Sequence, residues 1–213
     1  MPFVYSLNYG IDVLKYILDI FAPAIACQNV KKRENMITDE RDSRQKCIED
    51  IAGRMMAAGR TAPKAKGVDI MEIITLTGDD LHKLAVKMRE VAEETGLKFL
   101  IRDAENVMQS GAVVVAGVPV KTMNLNCGYC GYSTCARKEP HEEVPCVMNS
   151  VDLGIAIGSM VSVAADMRAD IRVMFSVGLA AKRMGLLEGC SSVFGIPVSI
   201  SSKSPYFDRV FNH

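Results

Sequence analysis

The stretch that sets the architecture begins with Ala112-Val-Val-Val-Ala-Gly-Val118. It passes through Cys127-Gly-Tyr-Cys130-Gly-Tyr-Ser-Thr-Cys135 to Val144-Pro-Cys146, then enters the apolar run from Val151 to Ala165. The first part is β-branched and lies between Gly111 and Pro119, which predicts a strand. The last part is nearly all apolar or small and predicts a buried helix, in which Gly154, Ala156, Gly158 and Ser159 would let other backbones approach closely. At about fifteen residues, with Asp152 near its start, that helix is shorter than a membrane span requires. Between the two lies a loop with four cysteines. Three fall within nine residues, and ten residues separate Cys135 from Cys146.

Thiolates bind soft metals, and two of them two residues apart can grip one metal centre together. Three cysteines so close in sequence fold the chain around a common point. Gly128 and Gly131 can each take positive φ and bring a backbone N–H to that point, where it would stabilise negatively charged sulfur. Cys146 closes the set from just before the predicted helix, whose first N–H groups and dipole favour an anion. Cys127, Cys130, Cys135 and Cys146 are therefore the candidate metal ligands, and an iron–sulfur cluster of the 4Fe-4S type is the expected cofactor.

Structural zinc is the alternative, because four cysteines also suit tetrahedral coordination. Zinc sites more often pair two Cys-x-x-Cys knuckles, whereas here three ligands are bunched and one is distant. A thioredoxin-like dithiol fits less well, since Cys127 and Cys130 lack the strand-then-helix setting. His141 could replace one thiolate, but beside Glu139, Glu142 and Glu143 it reads as a solvated loop residue. Cys47, on an apolar helical face, reads as core. Cys190 follows Gly189 in a turn and carries no ligand signal. Tyr129 and Tyr132 are placed to limit solvent around the centre.

The 213 residues suit one domain with an appendage, and 49% hydrophobic with 23% charged residues suits a packed interior. Net charge is zero and there is no Trp, which argues against nucleic acid as the main partner. The seven cysteines are odd in number and no secretory signal is apparent, so metal or redox chemistry in the cytoplasm is expected rather than disulfides. Residues 1–35 form the appendage. Its apolar stretch from Val4 to Ala26 is interrupted on one helical face by Asn8, Asp12, Lys15 and Asp19. A central Asp or Lys costs about 2.5–3.5 kcal/mol in a spanning helix, so an amphipathic helix is expected and no transmembrane span. Packing on this chain or a partner is one use for it, and anchoring at a membrane interface is another. Met36 could itself be a start.

Residues 36–213 form the domain. Cys47, Ile48, Ile51, Ala52, Met55 and Met56 recur at helical spacing, and that helix should stop near Thr61-Ala62-Pro63. Ile70 to Leu76 reads as a buried strand. Thr77 and Asp80 suggest a capping box for a helix with its stripe at Leu81, Leu84, Ala85, Met88, Val91 and Ala92, ended by Gly96. Lys98 to Ile101 and Arg172 to Ser176 read as short strands, Gly178 to Leu187 as a helix, and Val193 to Ile200 as a final strand. The order implies one α+β sandwich, a mixed sheet packed with helices, with the cysteine loop inserted before its most buried helix.

Several stretches together carry a resemblance. Cys127-Gly-Tyr-Cys130-Gly, Val144-Pro-Cys146 and Asp152-Leu-Gly-Ile-Ala-Ile-Gly-Ser159 are three of them. Arg60-Thr-Ala-Pro-Lys-Ala-Lys-Gly67, Arg102-Asp-Ala-Glu-Asn-Val107 and Gly195-Ile-Pro are the others. In this order they resemble the uncharacterised ferredoxin-domain proteins of anaerobic bacteria and archaea, from about Met36 to Arg209. The resemblance implies a 4Fe-4S site at the four named cysteines and implies no particular activity. More distantly, Thr61-Ala-Pro63 after an amphipathic helix is similar to the Ala-Pro-Ser element of the nitroreductase superfamily. Arg41-Asp-Ser43-Arg44 is similar to that superfamily's Arg-x-Ser-x-Arg phosphate grip. The second Arg comes one residue early and Lys64 stands where Ser is usual; as a plain reading, Arg41 and Arg44 are the solvated face of a helix. This second resemblance implies a nitroreductase-like fold, a homodimer and bound FMN.

Three functions are compatible with these readings. One is an electron carrier or redox sensor, working with a redox partner protein or a small-molecule electron donor. Another is an FMN-dependent oxidoreductase with the cluster as relay. The third is a zinc-stabilised interaction protein. The sequence offers no catalytic acid–base pair or nucleophile triad.

Overall fold

The central strand is buried on both faces because its side chains alternate between two cores. In the computed structural model, which describes residues 37–207, this strand is β2 (Ala112–Pro119). The expected N-terminal helix lies outside the described residues. The chain divides into Met1–Asp39 and Glu40–His213, and the second unit carries all the elements that follow. They are α1 (Glu40–Thr61), a 3-10 turn (Ala65–Gly67), β1 (Glu72–Thr77), α2 (Asp79–Thr95) and α3 (Phe99–Met108). After β2 come a short α4 (Cys135–Lys138), α5 (Val147–Asp166), β3 (Asp170–Ile171), α6 (Phe175–Arg183) and β4 (Cys190–Ser199). The sheet order is β1-β2-β4-β3, and every pairing is antiparallel. The α+β class is as the sequence implies, with the described strands antiparallel rather than mixed.

Val113 and Val115 point into a core built from α2, α3 and α6. Ala112, Val114, Ala116 and Val118 point into a second core, lined by Ile48, Ile51 and Met55 of α1 and by Leu153, Ala156 and Met160 of α5. This is the period-two pattern of a strand covered on both sides. Helix α6 lies hard against β4. A Cβ on Gly178 would overlap the Val193 carbonyl, and one on Gly195 would overlap the Val177 side chain.

Helix α1 ends at Thr61, ahead of Pro63, and Gly96 ends α2 with φ 72°. Other expectations are corrected. Lys98 to Ile101 is not a strand but the start of α3, whose Leu100, Ala104 and Val107 are buried at helical spacing; four residues are too few to show that period. Arg172 to Ser176 is not a strand: β3 lies before it at Asp170–Ile171, Met174 makes a single bridge to Gly195, and Phe175 already begins α6. Thr77 does not cap α2, since it still pairs with Ala112 in the sheet and Gly78 is the cap residue. Cys47 is exposed rather than core, lying one position off the buried stripe Ile48, Ile51, Ala52 and Met55. Cys190 is not in a turn but is the buried first residue of β4. Burial, and next the nearby Glu72 charge, push its thiol up.

Helix α5 is twenty residues, not fifteen, and is long and apolar enough to cross a membrane by length and composition. Its Asn149, Asp152, Leu153, Ala156, Met160 and Ala164 side is buried against the chain's own core. The other side is not buried as expected: Val151 and Ile155 are exposed, and Gly154 and Gly158 face open space. Buried Asp152 ties α5 to the turn after α1 by accepting from the Ala65 N–H with both carboxylate oxygens, each at 3.0 Å.

Two stability tests follow from this packing. Gly178→Ala should lower the melting temperature by about 3–10 °C, the effect of about 1–3 kcal/mol of overpacking in a chain of this size. Gly158→Ala, in open space within a helix, should instead stabilise by about 0.4–1 kcal/mol. Equal effects in thermal melts would contradict the packing of α6 on β4. Asp152→Ala leaves the Ala65 N–H unpaired and should cost about 1–3 kcal/mol in urea denaturation, with Asp152→Asn retaining part of it.

Candidate metal centre

Strand β2 ends at Pro119, after a register shift at Val118, and releases the chain into the cysteine loop. The loop turns on residues with left-handed backbone. Asn124 and Asn126 have φ 52° and 49°, and Gly128 and Gly131 have φ 75° and 89°. Asparagine tolerates this region and glycine prefers it. The Gly131 N–H donates to the Gly128 carbonyl at 2.9 Å, closing a tight turn between Cys127 and Cys130. Thr134 then caps α4, its hydroxyl accepting from the Arg137 N–H, so that Cys135 is the first residue of that turn.

The structure brings the four candidate cysteines to the wall of one pocket. Cys127, Cys130, Cys135 and Cys146 share it with Leu125, Asn126, Tyr132 and Lys138, among others. Cys127 is exposed, Cys130 and Cys135 are half-buried, and Cys146 is buried. Cys146 is the residue immediately before α5, in extended backbone, with the first turn of a twenty-residue helix beside it. The Asn126 N–H donates to Cys135 Sγ at 3.3 Å, and the Asn126 side-chain oxygen accepts from the Cys135 N–H at 2.8 Å. The N–H aimed at sulfur thus belongs to Asn126, where the sequence pointed to the glycines. On the far side, Asn149 Nδ2 donates to the Pro119 and Lys121 carbonyls at 3.2 and 2.6 Å, which pins the first turn of α5 to the start of the loop.

The donor set suits a soft metal centre, with four thiols, a backbone N–H on sulfur and a helix N-terminus on one pocket. Among the described residues no three of His, Cys, Asp and Glu are arranged to hold a single metal ion. His141 does not line the pocket; it stacks on Tyr132 with ring centroids 5.0 Å apart, and its Nδ1 lies 3.2 Å from Glu143. Tyr129, expected to shield the centre, is 73% exposed and also does not line the pocket, whereas Tyr132 does.

Sequence reasoning missed Lys138, which is buried in the pocket wall, and Asn149. A lysine among charged loop residues reads as solvated, and nothing in its spacing from Cys135 says otherwise. The Arg41 and Arg44 element lies on the exposed first turns of α1, where Arg44 is held by Glu40 in two hydrogen bonds of 2.6 Å each. That pair is the i, i+4 arrangement of a solvated helix face.

Comparison with known proteins places the chain among relatives. It is 40% identical over 182 residues to an uncharacterized protein of Archaeoglobus fulgidus, covering 82% of this chain and 98% of that one. Similar solved structures include a nitroreductase from Lactococcus lactis in complex with 4-nitrophenol. It has TM-score 0.48 and 17% identity, over 84% of this chain and 87% of that one. Nitroreductase A from Vibrio parahaemolyticus has TM-score 0.46 and 12% identity, over 73% of this chain and 60% of that one. Such likenesses concern backbone shape alone. A family profile matches residues 142–209, a span that contains Cys146 but not the other three candidate ligands. With the Archaeoglobus relative matched across nearly its whole length, the chain belongs to the family described as uncharacterized proteins containing a ferredoxin domain (DUF2148).

Proposed function

We propose that this chain is a redox protein that holds a 4Fe-4S cluster on Cys127, Cys130, Cys135 and Cys146, and that it serves electron transfer or redox sensing in the cytoplasm. The observation that carries the reading is the shared pocket: three thiols from one glycine-turned loop face a fourth at the mouth of a long helix. The family description, which names a ferredoxin domain, supports it from a separate direction.

A bound 4Fe-4S cluster supplies reversible one-electron transfer. The chain's own residues set its terms. The Asn126 N–H on Cys135 Sγ and the first turn of α5 beside Cys146 both favour negative charge on sulfur. Tyr132 and Leu125 cover part of the pocket and limit water there. Cys127 is the exposed ligand, which gives electrons a short way in from a partner protein or small-molecule donor.

Zinc makes a different demand. Its donors must lie about 2.3 Å from one point, whereas the thiolates of a four-iron cluster each bind their own iron around a wider ring.

The test is anaerobic reconstitution with iron and sulfide, followed by metal analysis and a visible spectrum. Near four irons per chain and broad absorption that dithionite bleaches are expected. Stoichiometric zinc without colour would favour the structural-metal alternative, and resolved flavin bands in the purified protein would favour an FMN oxidoreductase. Cys130→Ser should remove most of the iron, and Cys47→Ser, on the exposed side of α1, should leave it in place. Equal iron loss in both variants would contradict the ligand assignment.

A further inference from the structure

Lys138 is the most deeply buried charged side chain described, 1% exposed, in the wall of the cysteine pocket. An ammonium has three donors. Here Nζ makes one hydrogen bond, to the Val120 carbonyl at 3.1 Å, and no ion pair with Lys138 is found among the described residues. The nearby Glu143 is fully exposed and feels Lys138 only as the weakest of several influences on its carboxyl. A buried ammonium with a single neutral partner is costly, and sequences keep such groups where an opposite charge is close. The cysteine sulfurs line the same pocket and would carry the opposite charge once they ligate a cluster.

From this we infer that Lys138 is a positioning residue for the metal centre: its buried positive charge offsets the negative charge of the four-thiolate cluster and favours the reduced state. The inference rests on the cluster reading above. Reduction adds one electron, and so one negative charge, to the cluster. Lys138 takes no part in the electron transfer; it stays in the pocket wall while the charge on the cluster grows. A fixed cation in the pocket wall stabilises the more negative state more than the less negative one. Lys138 lies three residues past Cys135, at the last position of α4, so the ligand and the counter-charge are carried on the same helical turn.

The experiment is an anaerobic spectroelectrochemical titration of the reconstituted full chain, wild type against Lys138→Met and Lys138→Arg. Methionine keeps length and loses charge, and arginine keeps charge. K138M should shift the one-electron reduction equilibrium at least tenfold toward the oxidised form, a midpoint lowered by about 59 mV or more. K138R should stay nearer to wild type. A purely structural lysine would not move the midpoint in this charge-dependent way. If K138M takes up no iron while K138R loads fully, Lys138→Gln is titrated in its place, and a lowered midpoint there supports the inference while a wild-type midpoint or no loading overturns it. A K138M cluster with the wild-type midpoint would overturn the role of Lys138 and leave the cluster reading intact, as would failure of K138M and K138R alike to load. Wild-type protein that takes up no iron would overturn both.

Discussion

The antiparallel pairing of β2 with β4, buried between two helical layers, is the constraint on which the other features depend. Seven of the eight β2 residues are buried, and the valines among them divide between two cores. Each fully buried valine contributes about 1.5–3 kcal/mol, so a slip of one residue would exchange the two cores and is strongly resisted. On β4 the constraint is tighter, because Gly178 and Gly195 let α6 approach the strand more closely than any Cβ would allow. Once this pair is fixed, the point at which β2 ends and the loop begins is fixed with it.

The cysteine pocket inherits its rigidity from that frame on one side only. Cys146 sits at the start of α5, which is clamped by Asn149 to the carbonyls of Pro119 and Lys121 and by Asp152 to the Ala65 N–H. Cys127 and Cys130 belong to an exposed loop that turns on left-handed residues and is held mostly by local hydrogen bonds. A buried, anchored ligand facing adaptable ones suits a site that closes over an inorganic centre.

Charge completes the arrangement. The pocket combines four thiols with an N–H directed at sulfur, a helix N-terminus and a buried ammonium. An N–H on sulfur and a helix N-terminus are both features that favour negative charge. The two other cysteines among the described residues lack this setting: Cys47 faces solvent on α1, and Cys190 is sealed in the core with its thiol pushed up.

Several features were legible from residues alone. Cysteine spacing singled out the four pocket thiols, because short loops leave few ways to separate residues so near in sequence. The β-branched run of β2, the stripe of α2 and the stop signals at Pro63 and Gly96 were legible because local sterics act within a few residues. Tertiary structure decided the rest. It turned Lys98 to Ile101 into helix, placed the short strand before Arg172, exposed Cys47 and half of α5, and buried Lys138. Those outcomes depend on which surface arrives from elsewhere in the chain. Burial of a single side chain is a property of its distant neighbours, and a lysine in a charged loop has the same local sequence whether water or a ring of thiols lies beside it.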